Sequence, residues 1–393
     1  MRVLVVTHNY PRFPGDRAGA FVARLATLVA ERGSEVHVVA PHAPGASEEQ
    51  RDGDVQVRRF RYAPEALERI GYTGVLHRRA FTSPLTMAGL LPYFAAFRRA
   101  IAREVDRFQP ALVHAHWWMP AGWLTPRRLP YIVTCHGSDV RLLEHAALRR
   151  LARPVLSQAA AVTTVSRFLA QDIRAALPDV AMRTMVTPMP VDVAHFASGR
   201  TAQRVHPPRI LYAGNLVPSK GVDVLVEAFH QLRQRGVACE LRILGGGPVA
   251  PSLHALARRL GVFDQIQWMP FVPQTGMPAE YGASTITVLP SRGQAEGLGL
   301  TLVEALLAGC AVVGTPAGGI PEVVVHEETG LLARGGDARD LARQIERLLT
   351  DAALRNRLTR EGCERCTATF APDVAAARVL ALYEDVVAST PLG

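Results

Sequence analysis

Short apolar runs alternate with longer amphipathic segments in both halves of the chain. Continuous runs such as Ile286–Leu289 are typical of strands buried on both faces of a parallel sheet. Strands that alternate with helices predict an α/β fold with covered sheets. Ten strands are expected on this basis: residues 3–8, 35–41, 112–116, 131–137, 161–166, 209–214, 240–246, 266–271, 286–290 and 311–315.

The division into domains follows from the length of the chain and from one polar stretch. A chain of 393 residues suits two domains of ordinary size. Residues 197–208, rich in Gly, Arg and Pro, predict a linker between domains at 1–196 and 209–370. Residues 371–393 are expected to form a helical segment that packs back on the first domain. We predict two doubly wound, Rossmann-like domains that face an interdomain cleft, where such sheets bind ligands.

Cysteine content and the opening sequence favour a cytoplasmic protein. The five cysteines are scattered, and the close pair Cys363 and Cys366 lies in a charged, helical segment without a second pair. The chain opens as a strand, without the apolar core of a secretory signal. Residues 80–97 have the length of a membrane span, but Pro84, Pro92 and three hydroxyl side chains break the helix and its hydrophobicity. We expect no membrane-spanning segment.

Positive charge is concentrated in the first half. Residues 1–195 hold 25 basic against 16 acidic side chains, whereas residues 196–393 hold 19 of each. This asymmetry indicates an anionic partner, either a phosphate-bearing substrate or a lipid surface, with a solvated surface as the alternative. Nucleic acid is not expected, because no recognised module is present. Five arginines are interleaved with six apolar side chains over residues 78–103, a pattern that would suit a peripheral membrane surface. Core packing of the apolar side chains is the alternative. The residues are Arg78, Arg79, Arg98, Arg99 and Arg103, and Phe81, Leu85, Leu90, Leu91, Phe94 and Phe97.

Two carboxylates flank a glycine-rich turn in the second half. Gly297 and Gly299 keep this turn out of regular helix, while 300–308 has the composition of a good helix. Glu296 is therefore expected in the loop and Glu304 within the helix. Amides at the start of a helix bind hydroxyl or phosphate oxygens, and the carboxylates accept hydrogen bonds from vicinal hydroxyls. A helix-dipole role for one Glu and a solvated position for the other are the alternative.

Lys220 is the only lysine among 44 basic side chains. It lies in the loop 214–221, between a predicted strand and a predicted helix at 222–235. A mobile ammonium beside glycines at a helix start suits a diphosphate, although a chance loop position is the alternative. Two more glycine loops, at 245–248 and 317–322, follow predicted strands and would let a ligand approach the backbone.

The first half offers two candidate loops of its own. Arg12 and Arg17, in the loop that precedes a helix at 20–32, could attract an anionic acceptor, unless this is only a flexible surface loop. His136 and Asp139 lie in a polar loop, 135–139, that comes after residues 131–134 of a predicted strand. A histidine at a strand end can hydrogen-bond a reacting sugar or stabilise leaving-group charge, with core packing or capping as the alternative.

No metal site is expected. His114 and His116 alternate along a strand, and we expect their rings on opposite faces, where they cannot form a simple chelate. Neither a Gly-x-Ser-x-Gly elbow nor a Walker loop occurs in the sequence.

Together these residues resemble the GT-B glycosyltransferases of family GT4, the group-1 retaining enzymes. In the second half, the resemblance rests on 214–223, on Pro290-Ser291 followed by Glu296 to Ala305, and on 318–324 followed by 328–332. In the first half, it rests on 136–139 and on the loop before Ala20. It covers nearly the whole chain and is specific for the family rather than for the substrate.

The resemblance implies a role for each candidate residue. Glu296 would lie near the transferred sugar, Glu304 would hold the nucleotide ribose, and Lys220 would stabilise the diphosphate leaving group. His136 would lie over the sugar ring, and Arg12, Arg17 and Asp139 would face the acceptor. Other donor contacts would come from Gly19, Asn215, Gly245, Phe271, Val272, Gly297, Leu298, Gly299 and Leu300.

Three positions depart from the family pattern. Asn215 stands where the family often has Arg, so a diphosphate cation would have to come from Arg242, Arg292 or an arginine of the first domain. Four residues, 292–295, separate Ser291 from Glu296 where many members have two. Residues 188–192 replace a common Pro-Asn-Gly-Val-Asp segment near the hinge.

The residues and the resemblance together predict a metal-independent glycosyltransferase without a cofactor, and the resemblance implies that it is a retaining enzyme. It would move a hexose from a nucleoside diphosphate sugar, with UDP favoured over GDP, to a sugar, lipid-linked or phosphate-bearing acceptor. A nonhydrolysing nucleotide-sugar epimerase and a noncatalytic sugar-nucleotide-binding module are the alternatives. Peripheral contact with the inner membrane face is compatible with the expected cytoplasmic location.

Overall fold

The computed structural model describes residues 1–13, 15–16, 18–68, 70–72, 84–294 and 296–389. Arg17, Arg78, Arg79 and Phe81 lie outside the described residues, as does the side chain of Leu85. The chain divides into two compact units. The first comprises Met1–Pro190 together with the residues from Pro372 onward, and the second comprises Val191–Ala371.

The first unit is built on a sheet of eight strands in the part of the chain that is described, in the order β3-β4-β2-β1-β5-β6-β7-β8. Its strands are β1 (Arg2–Val6), β2 (Glu35–Pro41), β3 (Glu49–Asp52), β4 (Val55–Phe60), β5 (Leu112–His116), β6 (Tyr131–Cys135), β7 (Ala161–Thr164) and β8 (Thr184–Val186). Neighbours run parallel, except that β3 and β4 are antiparallel. Val3, Leu4 and Val6 are fully buried, because both faces of this central strand are covered.

Helices cover the first sheet. They are α1 (Ala20–Ala30), α2 (Pro84–Phe108), α3 (Ala146–Ser157) and α4 (Arg167–Ala176), with short turns of helix at Glu65–Leu67, Trp118–Gly122, Arg141–Glu144 and Pro178–Arg183. Helix α1 buries Val22, Leu25, Ala26 and Val29, a spacing that places them on one face.

The predicted interruption of a helix at Pro92 was wrong. Helix α2 begins at Pro84 and continues through Pro92 to Phe108. A proline inside a helix removes one backbone hydrogen bond, but α2 is held by the fully buried side chains of Tyr93, Phe97 and Ile101. Among the helices that the structure describes, none is long and apolar enough to cross a membrane.

The second unit is built on six parallel strands in its described residues, in the order β11-β10-β9-β12-β13-β14. These are β9 (Arg209–Ala213), β10 (Glu240–Leu244), β11 (Ile266–Met269), β12 (Ile286–Leu289), β13 (Ala311–Gly314) and β14 (Leu331–Leu332). Its helices are α5 (Val193–Ala197), α6 (Val222–Gln234), α7 (Ala250–Arg259), α8 (Met277–Ala283), α9 (Leu300–Leu307), α10 (Ile320–Val323), α11 (Ala338–Thr350) and α12 (Ala352–Phe370). Single turns of helix occur at Ser198–Thr201, Pro218–Lys220, Phe263–Gln265 and Gln274–Gly276.

The segment predicted as a linker is held on the second unit. Arg200 Nε donates to Leu307 O at 2.9 Å, and Arg204 Nη2 donates to Gly309 O at 2.9 Å. These arginines bind carbonyls at the C-terminal end of α9 and just beyond it, where a positive charge is favourable.

The last helix, α13 (Pro372–Ala388), belongs to the first unit. Tyr383, fully buried on α13, has its hydroxyl oxygen 2.6 Å from Nδ1 of His114 on β5. This contact links the end of the chain to the middle of the first sheet.

Candidate functional site

The second unit has its topological switch point between β9 and β12. Strand β9 pairs with β10 on one side and with β12 on the other, so the connections leave its carboxyl end in opposite directions. Ligands of doubly wound sheets bind at such a point, beyond the carboxyl ends of the strands. The loops that begin here carry Lys220 and Glu296.

The Lys220 loop packs tightly against the loop that follows β12. Gly221, which ends the turn Pro218–Lys220, has φ 63°, and a Cβ there would lie 2.1 Å from Pro290 O. Only glycine fits this left-handed conformation and close approach. Arg292 N donates to Ser219 O at 2.8 Å, which joins the two loops a second time.

Lys220 and Glu296 form an ion pair in the structure. Nζ of Lys220 lies 2.5 Å from Oε2 of Glu296, and Ser291 Oγ donates to the same oxygen at 3.0 Å. The two charged side chains keep 20% and 14% of their surface exposed. The pair is therefore ordered by its loops but still accessible to an incoming anion, which would compete with Glu296 for the ammonium.

A third loop, after β13, fixes the backbone of Glu296. Gly319 N donates to Glu296 O at 3.1 Å. At Gly318, which has φ 56°, a Cβ would lie 1.8 Å from the same carbonyl oxygen, so this contact also requires glycine. The predicted donor residues Gly297, Leu298 and Gly299 follow directly and lead into α9, which starts at Leu300.

Glu304 lies on α9 and is bound on both carboxylate oxygens. Tyr281 Oη donates to Oε2 at 2.7 Å, and Gln274 Nε2 donates to Oε1 at 3.0 Å. Tyr281 is fully buried on α8, whereas Gln274 and Glu304 are half-buried. Tyr281 and Gln274 are thus uncharged donors to the second glutamate of the predicted pair, whereas Glu296 accepts from an ammonium.

The remaining donor-side candidates lie on the loops after β9, β10 and β11. Leu216 N donates to Gly246 O at 2.9 Å, which ties the Asn215 loop to the Gly245 loop, and Tyr212 Oη donates to Asn215 O at 2.9 Å. The exposed ring of Phe271 packs against the Gly245 loop. Val272 is half-buried next to it in sequence.

Both second-unit cations proposed to replace the missing arginine are engaged in ion pairs. Arg242 Nη2 lies 3.0 Å from Glu280 Oε1. Arg292 Nη2 lies 2.6 Å from Asp223 Oδ2, with about two fifths of each side chain exposed. Arg292 is the more accessible of the two and is already joined to the Lys220 loop through its backbone.

The first unit has its own switch point between β2-β1 and β5, and aromatic side chains gather there. His8 follows β1, Trp117 follows β5 and His136 follows β6. The ring centroids of His8 and Trp117 are 4.4 Å apart, and those of Trp117 and His136 are 4.3 Å apart. Phe21 of α1 lies 4.9 Å from the His136 ring. Trp117 has φ 68°, an uncommon conformation for a bulky residue, so the surrounding packing must hold it in place.

His136 is joined to a buried histidine pair on β5. His116 Nδ1 lies 3.0 Å from His136 Nε2, and His114 Nε2 lies 2.6 Å from Thr134 Oγ1. The expectation that His114 and His116 point to opposite faces was wrong. Their rings stack with centroids 4.3 Å apart, because side chains two residues apart on a strand share a face.

Burial keeps these histidines neutral. It lowers the pKa of His8 to about 4 and that of His114 to about 3. Burial, followed by the charges of neighbouring histidines, lowers the pKa of His116 and of His136 well below the usual value. Neutral imidazoles each offer one donor and one acceptor, which suits the recognition of hydroxyl groups rather than of phosphate.

Asp139 organises the His136 loop from within. Its Oδ1 accepts from the backbone N–H groups of His136 and Gly137 at 3.0 and 3.1 Å, and its Oδ2 accepts from Trp118 N at 3.1 Å. The residue is 2% exposed, and burial raises its pKa. This position differs from the predicted direct contact with an acceptor, because both carboxylate oxygens are turned toward the loop backbone.

Arg12 and Gly19 lie on the loop that leads into α1. Arg12 binds Asp16 through Nε at 2.6 Å and Nη2 at 3.1 Å. Gly19 precedes α1, and its carbonyl accepts from Val22 N at 2.9 Å. An anionic acceptor at Arg12 would have to replace Asp16.

A basic groove lies between α2 and β4 in the first unit. Its cavity volume is about 510 Å³. Arg99, Arg103 and Arg107 are exposed at four-residue spacing and so share one face of α2. Of the apolar side chains expected at a membrane surface, Phe97 is fully buried, whereas Leu91 is 77% exposed. The described part of the chain contains no group of three His, Cys, Asp or Glu side chains placed to hold a metal ion.

Several residues of these sites were not found by sequence reasoning. Tyr281 and Gln274 carry no motif signal, since their importance depends on contacts with Glu304 across the fold. One sequence signal could have indicated Trp117. It directly follows strand β5, and ligands of such sheets bind beyond the carboxyl ends of the strands.

Comparison with protein-family models covers both units. Residues 18–195 match the Glycosyltransferase Family 4 model, and residues 197–365 match the model for Glycosyl transferases group 1. The GDP-mannose-dependent alpha-(1-6)-phosphatidylinositol monomannoside mannosyltransferase of Mycolicibacterium smegmatis is 28% identical over 375 residues, which cover 89% of each chain. The D-inositol 3-phosphate glycosyltransferase of Xylanimonas cellulosilytica is 29% identical over 418 residues, with 96% of this chain and 94% of the relative covered.

Solved structures share the fold. Sucrose-phosphate synthase from Thermosynechococcus elongatus superposes with a TM-score of 0.80 at 20% identity, covering 99% of this chain and 100% of that one. Anabaena HepE in complex with UDP gives a TM-score of 0.70 at 18% identity, with coverages of 98% and 100%.

Two Rossmann-like units and these similarities define a glycosyltransferase of the GT-B fold. The chain belongs to the group-1 glycosyltransferases of family GT4. The predicted fold class and family are thereby confirmed.

Proposed function

We propose that this protein transfers a hexose from UDP-sugar or GDP-sugar to an acceptor hydroxyl, with retention of configuration at the anomeric carbon. The observation that carries this proposal is the meeting of Lys220 and Glu296 at the switch point of the second unit. An exchangeable ammonium beside a carboxylate suits a diphosphate leaving group next to sugar hydroxyls.

The charged pair would exchange partners when the donor binds. Lys220 would turn from Glu296 to the diphosphate and stabilise the negative charge that develops as the glycosidic bond breaks. Glu296 would then be free to accept hydrogen bonds from sugar hydroxyls, together with the amides of Gly297, Leu298, Gly299 and Leu300. Asn215 would donate its amide to the phosphates, Glu304 would accept from the ribose, and Gly245, Phe271 and Val272 would border the base.

A front-face path accounts for retention without an enzyme nucleophile. The bond between the anomeric carbon and the diphosphate oxygen breaks, and the acceptor oxygen forms its bond on the same face. The acceptor proton passes to the departing phosphate oxygen, so atoms and charge balance. Such a path depends on positioning and on electrostatic stabilisation of the leaving group, and it requires neither a metal nor a cofactor.

The first unit would bind the acceptor. Neutral His136 would exchange hydrogen bonds with the reacting sugar, while Arg12, Arg17 and the amides near Gly19 would attract phosphate. A phosphate-bearing acceptor is supported by the names of the two relatives, which specify a phosphatidylinositol monomannoside and an inositol 3-phosphate. The basic groove beside α2 supports peripheral contact with an anionic lipid surface on the cytoplasmic side.

A ligand panel followed by product analysis tests this proposal. UDP, GDP, ADP and their hexose conjugates are compared by thermal shift, because a ligand at 100 times its Kd stabilises the native state by about 2.7 kcal/mol. The stabilising donor is then incubated in EDTA with inositol 3-phosphate or phosphatidylinositol vesicles, and the anomeric configuration of the product is determined by NMR. We expect an α-linked product from an α-linked donor.

The same incubation separates the other functions. A new sugar isomer formed from the donor without acceptor would indicate an epimerase. Stabilisation by a donor without turnover across the acceptor panel would favour a binding module. Inversion at the anomeric carbon would contradict the front-face path.

A further inference from the structure

His136 meets a second histidine because strands β5 and β6 are parallel neighbours. His116, the last residue of β5, pairs in register with Thr134 of β6, and His136 lies two residues beyond Thr134, where the chain leaves the sheet. Nδ1 of His116 lies 3.0 Å from Nε2 of His136, and the two ring planes are 21° apart. The order of the strands therefore gives His136 a hydrogen-bond partner inside the first unit.

The ring of His116 is held firmly. It is 1% exposed and stacks on His114, with ring centroids 4.3 Å apart. His114 uses both of its ring nitrogens, since Nδ1 lies 2.6 Å from the hydroxyl oxygen of Tyr383 and Nε2 lies 2.6 Å from Thr134 Oγ1. A ring that is bound at both nitrogens keeps one orientation, so His114 supports His116 in a fixed position.

The ring of His136 is enclosed as well. Trp117 and Phe21 pack against it, with ring centroids 4.3 and 4.9 Å away, and Asp139 Oδ1 accepts from its backbone N–H at 3.0 Å. Among the residues that the structure describes, His116 is the hydrogen-bond partner of Nε2, and Nδ1 has no partner. Nδ1 is therefore the ring nitrogen that remains for a ligand.

The position of one proton decides what this nitrogen can do. Burial lowers the pKa of His116 and of His136 well below the usual value, so each neutral ring carries a single N–H. If His136 Nε2 donated to His116, then His116 would carry its own proton on Nε2, where no described residue accepts it. An N–H without a partner is rare in a protein interior. If His116 Nδ1 donates instead, no N–H of His116 is left unpaired, and His136 carries its proton on Nδ1.

We propose that His116 is a positioning residue that holds His136 in the tautomer with the proton on Nδ1, so that His136 donates a hydrogen bond to an oxygen of the sugar. The inference rests on the proposed contact between His136 and the reacting sugar. It gives that contact a direction, and it excludes His136 as a general base, because a protonated nitrogen has no lone pair to accept a proton. The front-face path has the same requirement, since there the departing phosphate oxygen takes the acceptor proton.

NMR shows directly which nitrogen carries the proton. The protein is labelled with ¹⁵N-histidine, and long-range ¹H–¹⁵N correlations are recorded at pH 7, with His136→Gln identifying the His136 signals by their loss. We expect the wild type to have the proton on Nδ1 of His136. In His116→Phe, which keeps a ring but offers no donor, both tautomers should be populated. In His116→Asn, whose amide nitrogen can take the place of Nδ1, the wild-type tautomer should persist.

Calorimetry shows whether this proton reaches the sugar. Kd values are measured for the nucleoside diphosphate that binds best, UDP or GDP, and for its hexose conjugate, UDP-glucose or GDP-mannose. We expect His116→Phe to weaken binding of the conjugate about fivefold to tenfold, the effect of losing one hydrogen bond. Binding of the diphosphate, which has no sugar to contact His136, should change less than about twofold.

The two variants of His116 also separate positioning from packing. His116→Asn should recover most of the affinity for the conjugate, because it restores the donor. A role in packing alone predicts the reverse order, since phenylalanine fills the buried site and asparagine leaves a cavity.

His37→Phe is the matched control. His37 is a strand histidine of the first unit that stacks on Phe108, with ring centroids 3.7 Å apart, and its Nδ1 lies 2.5 Å from Glu104 Oε1. The substitution should change neither the tautomer of His136 nor the two Kd values.

Each outcome bears on the inference. A wild-type spectrum with the proton on Nε2 of His136 would overturn it, whether or not the His116 variants fold, and would leave the proposed function as it stands. An unchanged tautomer in His116→Phe would do the same. If the tautomers behave as expected but His136→Gln binds the conjugate as tightly as the wild type, the sugar contact in the proposed function fails, and the inference fails with it. Loss of the tautomer and of sugar affinity in His116→Phe, with recovery in His116→Asn, supports the inference.

Discussion

The two units place opposite electrostatic environments at equivalent points of similar folds. At the switch point of the second unit, Lys220 and Glu296 form an accessible ion pair between glycine-rich loops. At the switch point of the first unit, His8, Trp117 and His136 form a cluster of aromatic rings, and burial depresses the pKa of both histidines. The same topology thus presents exchangeable charge in one unit and neutral hydrogen-bonding groups in the other.

Under the proposed function, this difference would divide one reaction between the two units. A diphosphate needs a cation that is not buried beyond reach, whereas a sugar hydroxyl needs donors and acceptors without net charge. Backbone geometry produces the first environment, since the glycines let three loops converge on Glu296. Side-chain packing produces the second, since large rings surround the half-buried His8 and His136.

The largest expected effect concerns the charged environment. We expect Lys220→Ala to lower kcat about 10²- to 10³-fold, as loss of one electrostatic contact to a leaving group does. That loss corresponds to an increase of about 3–4 kcal/mol in the activation barrier. The same variant should lower the free energy of unfolding by about 1 kcal/mol or less, because the ion pair that it removes is partly exposed. Steady-state kinetics and chemical denaturation measure the two quantities.

The matched control removes another ion pair of the second unit. Arg235 Nη1 lies 2.8 Å from Glu346 Oε2, with a third or more of each side chain exposed. Arg235→Ala should leave kcat unchanged. Wild-type turnover in Lys220→Ala would end the assignment of Lys220 to the leaving group and with it the contrast between the units.

A smaller effect tests the neutral environment. His114 is neutral in the folded state, with its pKa lowered to about 3 by burial, but it protonates near pH 6.5 when unfolded. The unfolded state therefore binds more protons between pH 6.5 and 3, and stability falls as the pH drops through this window. In this window, His114→Asn should lower the slope of the free energy of unfolding against pH by about 1.4 kcal/mol per pH unit.

The measurement follows tryptophan fluorescence during denaturation at pH 7.0, 6.0 and 5.5. Three of the four tryptophans, at positions 117, 118 and 123, report on the first unit. The exposed His206 of the second unit gives the control, and His206→Asn should leave the pH dependence as it is. An unchanged slope in His114→Asn would show that this cluster already accepts protons in the folded state.

The smallest expected effect concerns the basic groove of the first unit. Arg103→Gln should weaken partition onto anionic vesicles about fivefold at low salt, because one arginine near such a surface contributes about 1 kcal/mol. Co-sedimentation with anionic and neutral vesicles measures this partition. Arg360→Gln, at an exposed position of the second unit, is the control. Failure of the wild-type protein to sediment with anionic vesicles at low salt would eliminate the membrane contact.

Buried parallel strands were the most predictable part of the fold. The structure has β2 and β5 at the predicted bounds, and the other predicted strands end one or two residues early. Strand β3 was not predicted, since its sequence, Glu49–Asp52, is polar at an edge of the sheet. Strand β14 has only two residues, too few for a periodic signal.

The candidate site was predictable where one residue type carries the signal. The sequence indicated Lys220 through its uniqueness and Glu296 through its glycine-rich loop, but not that they form a pair across 76 positions. Side-chain direction was harder to predict, as the stacked rings of His114 and His116 show. Roles that depend on a single long-range contact, such as that of Tyr281, are specified by packing and have no local pattern.

The single lysine has a practical consequence for labelling chemistry. Amine-selective acylating reagents can modify only one side chain in the whole sequence, and that side chain is 20% exposed beside Glu296. Mass-spectrometric footprinting of Lys220 would therefore report on occupancy of this loop without an engineered probe. A bound diphosphate should protect the amine from acylation, and the degree of protection would give a binding isotherm at a single atom.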